Sequence, residues 1–507
     1  MQYKNPVLTG MYPDPSVCRV GEDYYLVTST FEYLPGVPVF HSRDLVNWEQ
    51  IGHVIDRPEQ MDFARVKASG GIYAPTIRYH DGTFYMVTTA VASARGGNFF
   101  MTAKDPAGPW SMPVWLEQSG IDPSLFFDED GTCYLTSNLF GGGIVNPVIQ
   151  QSVIDPATGE ILDGPRVICE GTGGCSTEAP HLFKRSEYYY LVLAEGGTAL
   201  GHMVTLFRAR SPWGPFAPCP HNPILTARDR NPAPLSATGH ADFVQTQHGE
   251  TFIVFLCYRQ AVSKYHHLGR ETALLPIDWD GDGWPHVRTG KLAPIHVDTP
   301  SQLTLQPVKP EMTEDDFTAP QLALCYNGVR RFPEGYALEP GALLLHGAAD
   351  TLSDFSPVFI GRRQRHFVTE IAARLSFDPQ GENEEAGVAL RMCEQAHYEW
   401  VITLRGGQRA IVLKRTVGDM QTESAPIPCP DGEVTLVIRS DREFYRFGVQ
   451  RPDGISSHAS AMTKLLSSEA HWGFVGVYAG MYATGNGAPA SVPARFTRFA
   501  VMPAGEE

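Results

Sequence analysis

Between Asp14 and Ile253 the chain repeats one order of polar and apolar positions five times: a small or acidic residue, usually a proline, an apolar stretch, a polar turn, then an aromatic-rich run. The copies open at Asp14-Pro15-Ser16-Val17, Ala74-Pro75-Thr76-Ile77, Asp122-Pro123-Ser124-Leu125, Ala179-Pro180-His181-Leu182 and, more loosely, Ala241-Asp242-Phe243-Val244. Turns such as Asp81-Gly82 and Asp130-Gly131 lead into runs such as Tyr24-Tyr25-Leu26-Val27 and Tyr188-Tyr189-Tyr190-Leu191, so each copy reads as a β-hairpin. The lead residues lie 60, 48, 57 and 62 positions apart. That is near the roughly 40–50-residue period of β-propeller blades, with added loop length. We therefore expect a five-bladed β-propeller over residues 1–297. The competing architecture is an all-β sandwich whose hairpins share composition alone; the proline that recurs directly after the lead residue argues against it.

After the fifth copy the pattern stops. The stretch from Pro294 to Met312 is proline-rich and aperiodic, which predicts a linker at 298–313. Beyond it, alternation returns in Phe367–Leu375, Glu399–Leu404 and Val434–Ile438, and predicts a β-sandwich over 314–507. The fold class is all-β, with little helix. A chain of 507 residues exceeds what one core usually supports, in keeping with two domains. Aromatic residues at 11%, beside 49 Gly and 40 Pro, fit many short strands joined by turns.

Charge narrows the partners. The formal net charge is −16 and no block of Lys/Arg occurs, which argues against nucleic acid and against an anionic membrane and favours a neutral ligand such as a sugar. No apolar run is long enough to span a bilayer, and Met1–Gly10 lacks the basic and apolar regions of a secretion signal, so the expected location is cytoplasmic. Nine scattered cysteines with no CxxC pair read as reduced thiols, not as a disulfide framework or a zinc site. Association into a homo-oligomer is left open.

A propeller arranges equivalent positions of its blades around one axis, and ligands bind at a mouth of the central channel. At the lead position or the one before it, the five repeats carry Asp14, Tyr73, Asp122, Glu178 and His240. Taken singly, Asp14 and Asp122 could cap turns before proline. As a set they converge three acids on one concave site, where like charges raise one another's pKa values, and function is the usual reason to tolerate that. Glycoside hydrolysis uses such a set: one carboxyl held protonated for the leaving oxygen, one ionised carboxylate across the sugar, and a third group to tune the acid.

Further motifs carry a resemblance. Tyr12-Pro13-Asp14-Pro15-Ser16, Ser29-Thr30-Phe31-Glu32-Tyr33, Gly70-Gly71-Ile72-Tyr73-Ala74-Pro75, Ile121-Asp122-Pro123-Ser124, Thr177-Glu178-Ala179-Pro180-His181 and Leu268-Gly269-Arg270-Glu271-Thr272 resemble glycoside hydrolase family 43, in its β-xylosidase and α-L-arabinofuranosidase branch. Phe359–Gln364 and Asn383–Gly387 resemble that branch's C-terminal β-sandwich. The resemblance implies an inverting exo-glycosidase that releases single pentoses from xylo-oligosaccharides or arabino-oligosaccharides. It implies Asp14 as general base, Glu178 as general acid and Asp122 as the residue that raises the acid's pKa. It also implies that Arg270 contacts sugar hydroxyls and that Phe31 walls the pocket. It places His240 under the central site, among the substrate-binding residues, although that residue reads equally as a satisfied structural histidine or as a contact, through water, to calcium at the propeller centre; no cofactor is required. Tyr73 stands where related sequences usually have Trp, and Tyr478 where many carry a Phe that helps to close the pocket, so both are expected to touch substrate.

Other signals carry less. Asp278-Trp279-Asp280-Gly281-Asp282-Gly283-Trp284 imitates a calcium loop, but Thr289 occupies its twelfth position, so a tight turn is expected. Gly141-Gly142-Gly143 and Gly173-Gly174 lack the helix and the Lys-Ser/Thr of a phosphate loop and read as channel rims. The alternatives to a xylose-releasing enzyme are a primary α-L-arabinofuranosidase, a non-catalytic sugar-binding propeller, and a retaining fructose-releasing hydrolase, whose usual Asn-Asp-Pro-Asn-Gly is absent.

Overall fold

The computed structural model describes residues 1–141 and 144–505, so Gly142 and Gly143 of the first glycine run lie outside the described residues. All five repeats form hairpins, and each hairpin begins a separate antiparallel sheet. The first sheet runs Ser16–Val20, Asp23–Val27, Gly36–Ser42 and Glu49–Ile55; the fifth runs Ser236–Gln245, Thr251–Tyr258, Glu271–Trp279 and Pro285–Val287. The opening strands Ser16–Val20, Thr76–His80, Ser124–Phe127, Glu178–Arg185 and Ser236–Gln245 neighbour one another around the axis. Five blades thus make the propeller. The ring is closed where Gln2–Lys4 pairs with His296–Asp298, Tyr3 opposite Val297, and the Met1 ammonium donates to the Thr299 carbonyl at 2.6 Å.

The opening strands are also stitched by side chains. Arg78 of the second blade donates to both carboxylate oxygens of Asp242 in the fifth (2.8 and 3.2 Å) and meets His181 Nδ1 of the fourth at 3.0 Å. Ser16 of the first blade donates to the same Asp242 at 2.7 Å. Asp242 is thereby held at about pKa 2: burial opposes its charge, but Arg78, His181 and Ser16 outweigh it. Three of these four residues sit in the repeat motifs, one or two positions after the lead residue, so the same register that gathers acids at the mouth gathers a polar plug beneath them.

Strand Glu271–Trp279 ends in the turn that imitated a calcium loop. There Asp280 Oδ1 accepts from the Asp282 and Trp284 amides at 3.0 and 2.8 Å, so its carboxylate is spent on closing the turn. The segment after Asp298 has no regular element until Glu314, but it is tacked to the propeller: Gln306 N donates to Asp44 at 2.6 Å and Ser301 to Glu250 at 3.0 Å. All nine cysteines are free, seven of them buried.

The second domain packs a sheet of eight strands on one of seven. Its apolar core continues into the propeller, taking in Met11, Phe31 and Tyr33. Tyr33–Leu34 pairs with Gly328–Val329, and the Tyr33 ring stacks on Tyr478 at 3.8 Å and 8°. Charge is buried there too. Arg391, on a sandwich strand, donates to Tyr33 Oη at 2.8 Å and to Glu394 at 2.9 Å and lies 3.7 Å from Glu32, with both Arg391 and Glu32 wholly inaccessible. Among the described residues helix is limited to single turns, one of them Ser468–His471 in a loop that reaches from the sandwich to the propeller mouth.

Candidate active site

Asp14, Phe31, Tyr73, Asp122, Glu178, His240 and Arg270 line one narrow pocket at the propeller mouth, together with Ala74, Ile121, Thr198 and Phe474. The backbone delivers them in an unusual way. Asp14, Phe31, Asp122, Ala179 and His240 all have left-handed φ, between 48° and 55°, although none is glycine. Such residues cost free energy and cluster where a site needs its side chains re-aimed. In the first and third blades the turn comes just before the inner strand begins its pairing: Asp14 precedes the Ser16–Val27 pair and Asp122 the Ser124–Thr136 pair. At Glu178 the same purpose is served by a bulge, for the strand register shifts between Glu178 and His181.

The three acids occupy different electrostatic surroundings. Asp14 accepts from Arg270 Nη1 at 3.0 Å and from Ser29 Oγ at 2.6 Å, and His240 Nδ1 lies 3.6 Å away. Burial opposes its charge, but Arg270, His240, Ser29 and His202 together hold its carboxyl below the ordinary range. Glu178 moves the other way. Burial and then the Asp14 charge push it up to about 7, against the pull of Arg270. Asp122 accepts from the Ala179 amide at 3.2 Å, and burial followed by the Glu178 and Asp14 charges raises it well above the carboxylate range. Asp122 and Glu178 titrate as a pair that keeps a proton long after a free carboxyl has lost it. The pocket therefore presents an ionised carboxylate and a protonated pair around one space.

Arg270 is itself positioned. It donates to Thr198 Oγ1 at 2.8 Å, and its guanidinium lies over the rings of Phe31 (5.4 Å) and Phe474 (5.2 Å). The next residue, Glu271, is gripped by Arg259 through two hydrogen bonds of 2.8 Å and accepts from the Gly10 amide at 2.8 Å. Phe31, Tyr73 and Phe474 form a three-ring wall with centroids 5.5 to 5.9 Å apart. The run Gly173-Gly174 before Glu178 cradles a carboxylate after all, but the chain's own: Glu195 accepts from the amides of Thr172 and Gly174 at 3.0 and 2.9 Å.

One expected residue is placed elsewhere. Tyr478 lies outside the pocket; its ring is fully buried against Tyr33 in the interdomain core, because it belongs to strand Tyr478–Thr484, all of whose residues are buried. The wall position belongs to Phe474, in the loop just before that strand. Sequence reasoning also passed over Ser29, Thr198 and His202. His202 packs flat against Gly239, where a Cβ would come within 2.4 Å of its ring, and shares its Nδ1 with the Ala237 carbonyl at 3.0 Å. The remaining signal for Phe474 was Trp472-Gly473-Phe474, two aromatics about a glycine where a polar stretch gives way to an apolar one.

Calcium at the propeller centre, expected through His240 and water, would need six to eight oxygen ligands. His240 and His202 offer nitrogen, burial lowers the pKa of both, and the nearest carboxylates, Asp14 and Asp242, are engaged by Arg270 and Arg78. Among the described residues no cluster of three or more His, Cys, Asp or Glu side chains could hold a metal ion. A wider cleft of about 340 Å³ between the domains carries arginines already tied to Glu311 and no comparable acid set.

Comparison with known proteins places the whole chain. The model of glycosyl hydrolases family 43 matches residues 3–285, and that of the β-xylosidase C-terminal concanavalin A-like domain matches 314–502. A non-reducing end α-L-arabinofuranosidase of Bacteroides ovatus is 42% identical, covering 98% of this chain and 94% of its own. A xylan 1,3-β-xylosidase of a Vibrio species is 37% identical over 83% of each. The crystal structure of a xylan β-1,4-xylosidase from Bacillus halodurans superposes with a TM-score of 0.91 at 33% identity, covering 98% of this chain and 99% of its own.

Proposed function

Given that the chain belongs to glycoside hydrolase family 43, we propose that it removes single pentose units from the non-reducing ends of xylo-oligosaccharides by a single displacement with inversion. The observation that carries this reading is the opposed titration of two carboxyls in one pocket: Asp14 held ionised, Glu178 held up to about 7. A binding protein has no use for a carboxyl kept protonated.

In the proposed reaction the terminal sugar sits against Phe31, Tyr73 and Phe474 with Arg270 on its hydroxyls. Asp14 takes a proton from a water molecule as the water oxygen bonds to the anomeric carbon. Glu178 gives its proton to the glycosidic oxygen as that bond breaks. The electron pair leaves with the departing sugar, now neutral, and the product anomer is inverted. Asp14 is left protonated and Glu178 ionised, and exchange with solvent resets both. Arg270 and Ser29 keep Asp14 ionised in the ground state, and Asp122 keeps the proton within the pair until it is needed.

A second reading, that α-L-arabinofuranose is the preferred sugar, is favoured by the name of the 42% identical Bacteroides relative. Rates on 4-nitrophenyl β-D-xylopyranoside and α-L-arabinofuranoside, measured side by side, separate the two. Inversion is tested by following the anomeric proton of the first product by NMR; initial release of the retained anomer refutes it. Asp14→Ala should lose activity by orders of magnitude on every substrate. Glu178→Ala should keep far more activity on a 2,4-dinitrophenyl glycoside than on xylobiose, because only the sugar leaving group needs the proton. Equal losses on both would overturn the assignment of Glu178.

A further inference from the structure

We infer that Trp472, a residue of the sandwich domain, is the platform on which the departing part of the substrate rests; this rests on the reading of the pocket as an exo-glycosidase site. Trp472 is the most exposed large hydrophobic side chain among the described residues, at 72%. A lone exposed apolar side chain is ordinary on a protein surface, so it is the position of this indole against a pocket wall that points to a ligand. Its ring lies 5.1 Å from that of Phe474, at 57°, and Phe474 is a wall of the pocket. Phe31 and Tyr73 flank Phe474 within the pocket, and the indole adds a fourth ring beside it. In the proposed arrangement a chain held by its terminal sugar, with the scissile bond at Glu178, passes this ring as it leaves the mouth.

The loop is built to hold that ring in place. Trp472 follows the single helical turn Ser468–His471 and has a left-handed φ of 54°, with its amide bonded to the Ser468 carbonyl at 2.8 Å. Gly473 follows at φ 143°, where a Cβ would come within 2.8 Å of Ser69 Oγ, so only glycine lets the loop lie this close to the propeller. The Phe474 amide then donates to that same Ser69 Oγ at 2.9 Å, and Glu469, at the start of the turn, pairs with His266 of the fifth blade at 2.6 Å. Both ends of the loop are thus fastened to the propeller while the indole between them stays open. Aromatic faces bind the apolar C–H faces of pyranose and furanose rings while leaving their hydroxyls in water. The chemical class that fits is a neutral sugar unit on the leaving side of the scissile bond.

The test compares substrates that differ only in what leaves. Trp472→Ala and Trp472→Phe are assayed on the pentosyl fluoride and on the disaccharide and trisaccharide of whichever pentose the wild type releases. Fluoride ends at the scissile bond and cannot reach the indole. Trp472→Ala should lower kcat/KM on the oligosaccharides about five-fold or more, as expected for one aromatic contact, and leave the fluoride within two-fold. Trp472→Phe should recover most of the loss. Equal losses on fluoride and oligosaccharides would make Trp472 a support for Phe474 and overturn the proposal, as would unchanged oligosaccharide rates. If the wild type hydrolyses neither class, the exo-glycosidase reading itself fails, which is a different result from either.

Discussion

The side chains of the pocket divide one kind of functional group into two roles. Asp14 and Glu178 are both carboxyls within a shared cavity, yet a guanidinium and a hydroxyl face the first while burial and the charge of the first act on the second. Activity should therefore fall on the alkaline side as pH rises through about 7, where Glu178 loses its proton, and persist well into acid, because Asp14 stays ionised below the usual carboxylate range. Asp122→Asn removes a charge that helps the pair to hold its last proton, so the basic limb of the kcat/KM profile should move to lower pH with the fold intact. A limb that stays in place would remove Asp122 from the tuning role. The positions of the acids were readable beforehand because blade register is a symmetry, and a symmetry converts spacing along the chain into neighbourhood in space. Phe474 was not readable, since it comes from a loop of the other domain and obeys no register, and Tyr478, which does sit on a strand, was turned by that strand's burial into the core.

The hairpins were legible for a plain reason: a Gly-containing turn between an apolar run and an aromatic one leaves few alternatives to an antiparallel pair. What the pattern did not reveal is the backbone twist that precedes them. An Asp before Pro is expected to be extended, whereas Asp14 and Asp122 are left-handed. Their conformation is set by contacts further along the chain. Gly120 shows the constraint, with φ at 98° and so little space that a Cβ would lie 1.7 Å from the Asn138 carbonyl oxygen. Asn138 in turn accepts the Ile121 amide on its side chain at 2.8 Å, fixing the residue just before Asp122. Gly120→Ala should cost about 2 kcal/mol or more, lower the melting temperature, and reduce kcat on oligosaccharides by displacing Asp122. A variant as stable and active as the wild type would show that this turn does not position the acid.

Two domains were evident from the change of pattern near Pro294, but the intimacy between them was not, because residues that meet across the interface are hundreds of positions apart. Glu32 of the first blade accepts from the Ser69 amide at 2.9 Å and faces Arg391 of the sandwich, and Ser69 in turn receives the Phe474 amide. One buried network thus links a sandwich strand to the pocket wall. Arg391→Ala leaves Glu32 buried without its nearest cation, for which about 3 kcal/mol is the expected loss. Thermal unfolding should show it, and KM for oligosaccharides should rise as Phe474 loosens; a normal melting temperature with normal KM would place the network outside both roles.

The contacts across that interface also change the meaning of the segment 299–313. With Tyr33–Leu34 hydrogen-bonded to Gly328–Val329, Tyr33 stacked on Tyr478, and Arg363 donating to the Met11 carbonyl at 2.7 Å, the two domains hold each other at several points away from that segment. Peptide continuity is then redundant as a tether. A protein nicked there would remain one particle with a complete pocket, whereas a propeller produced alone, with its covalent chain undamaged, would lack one wall of its own active site.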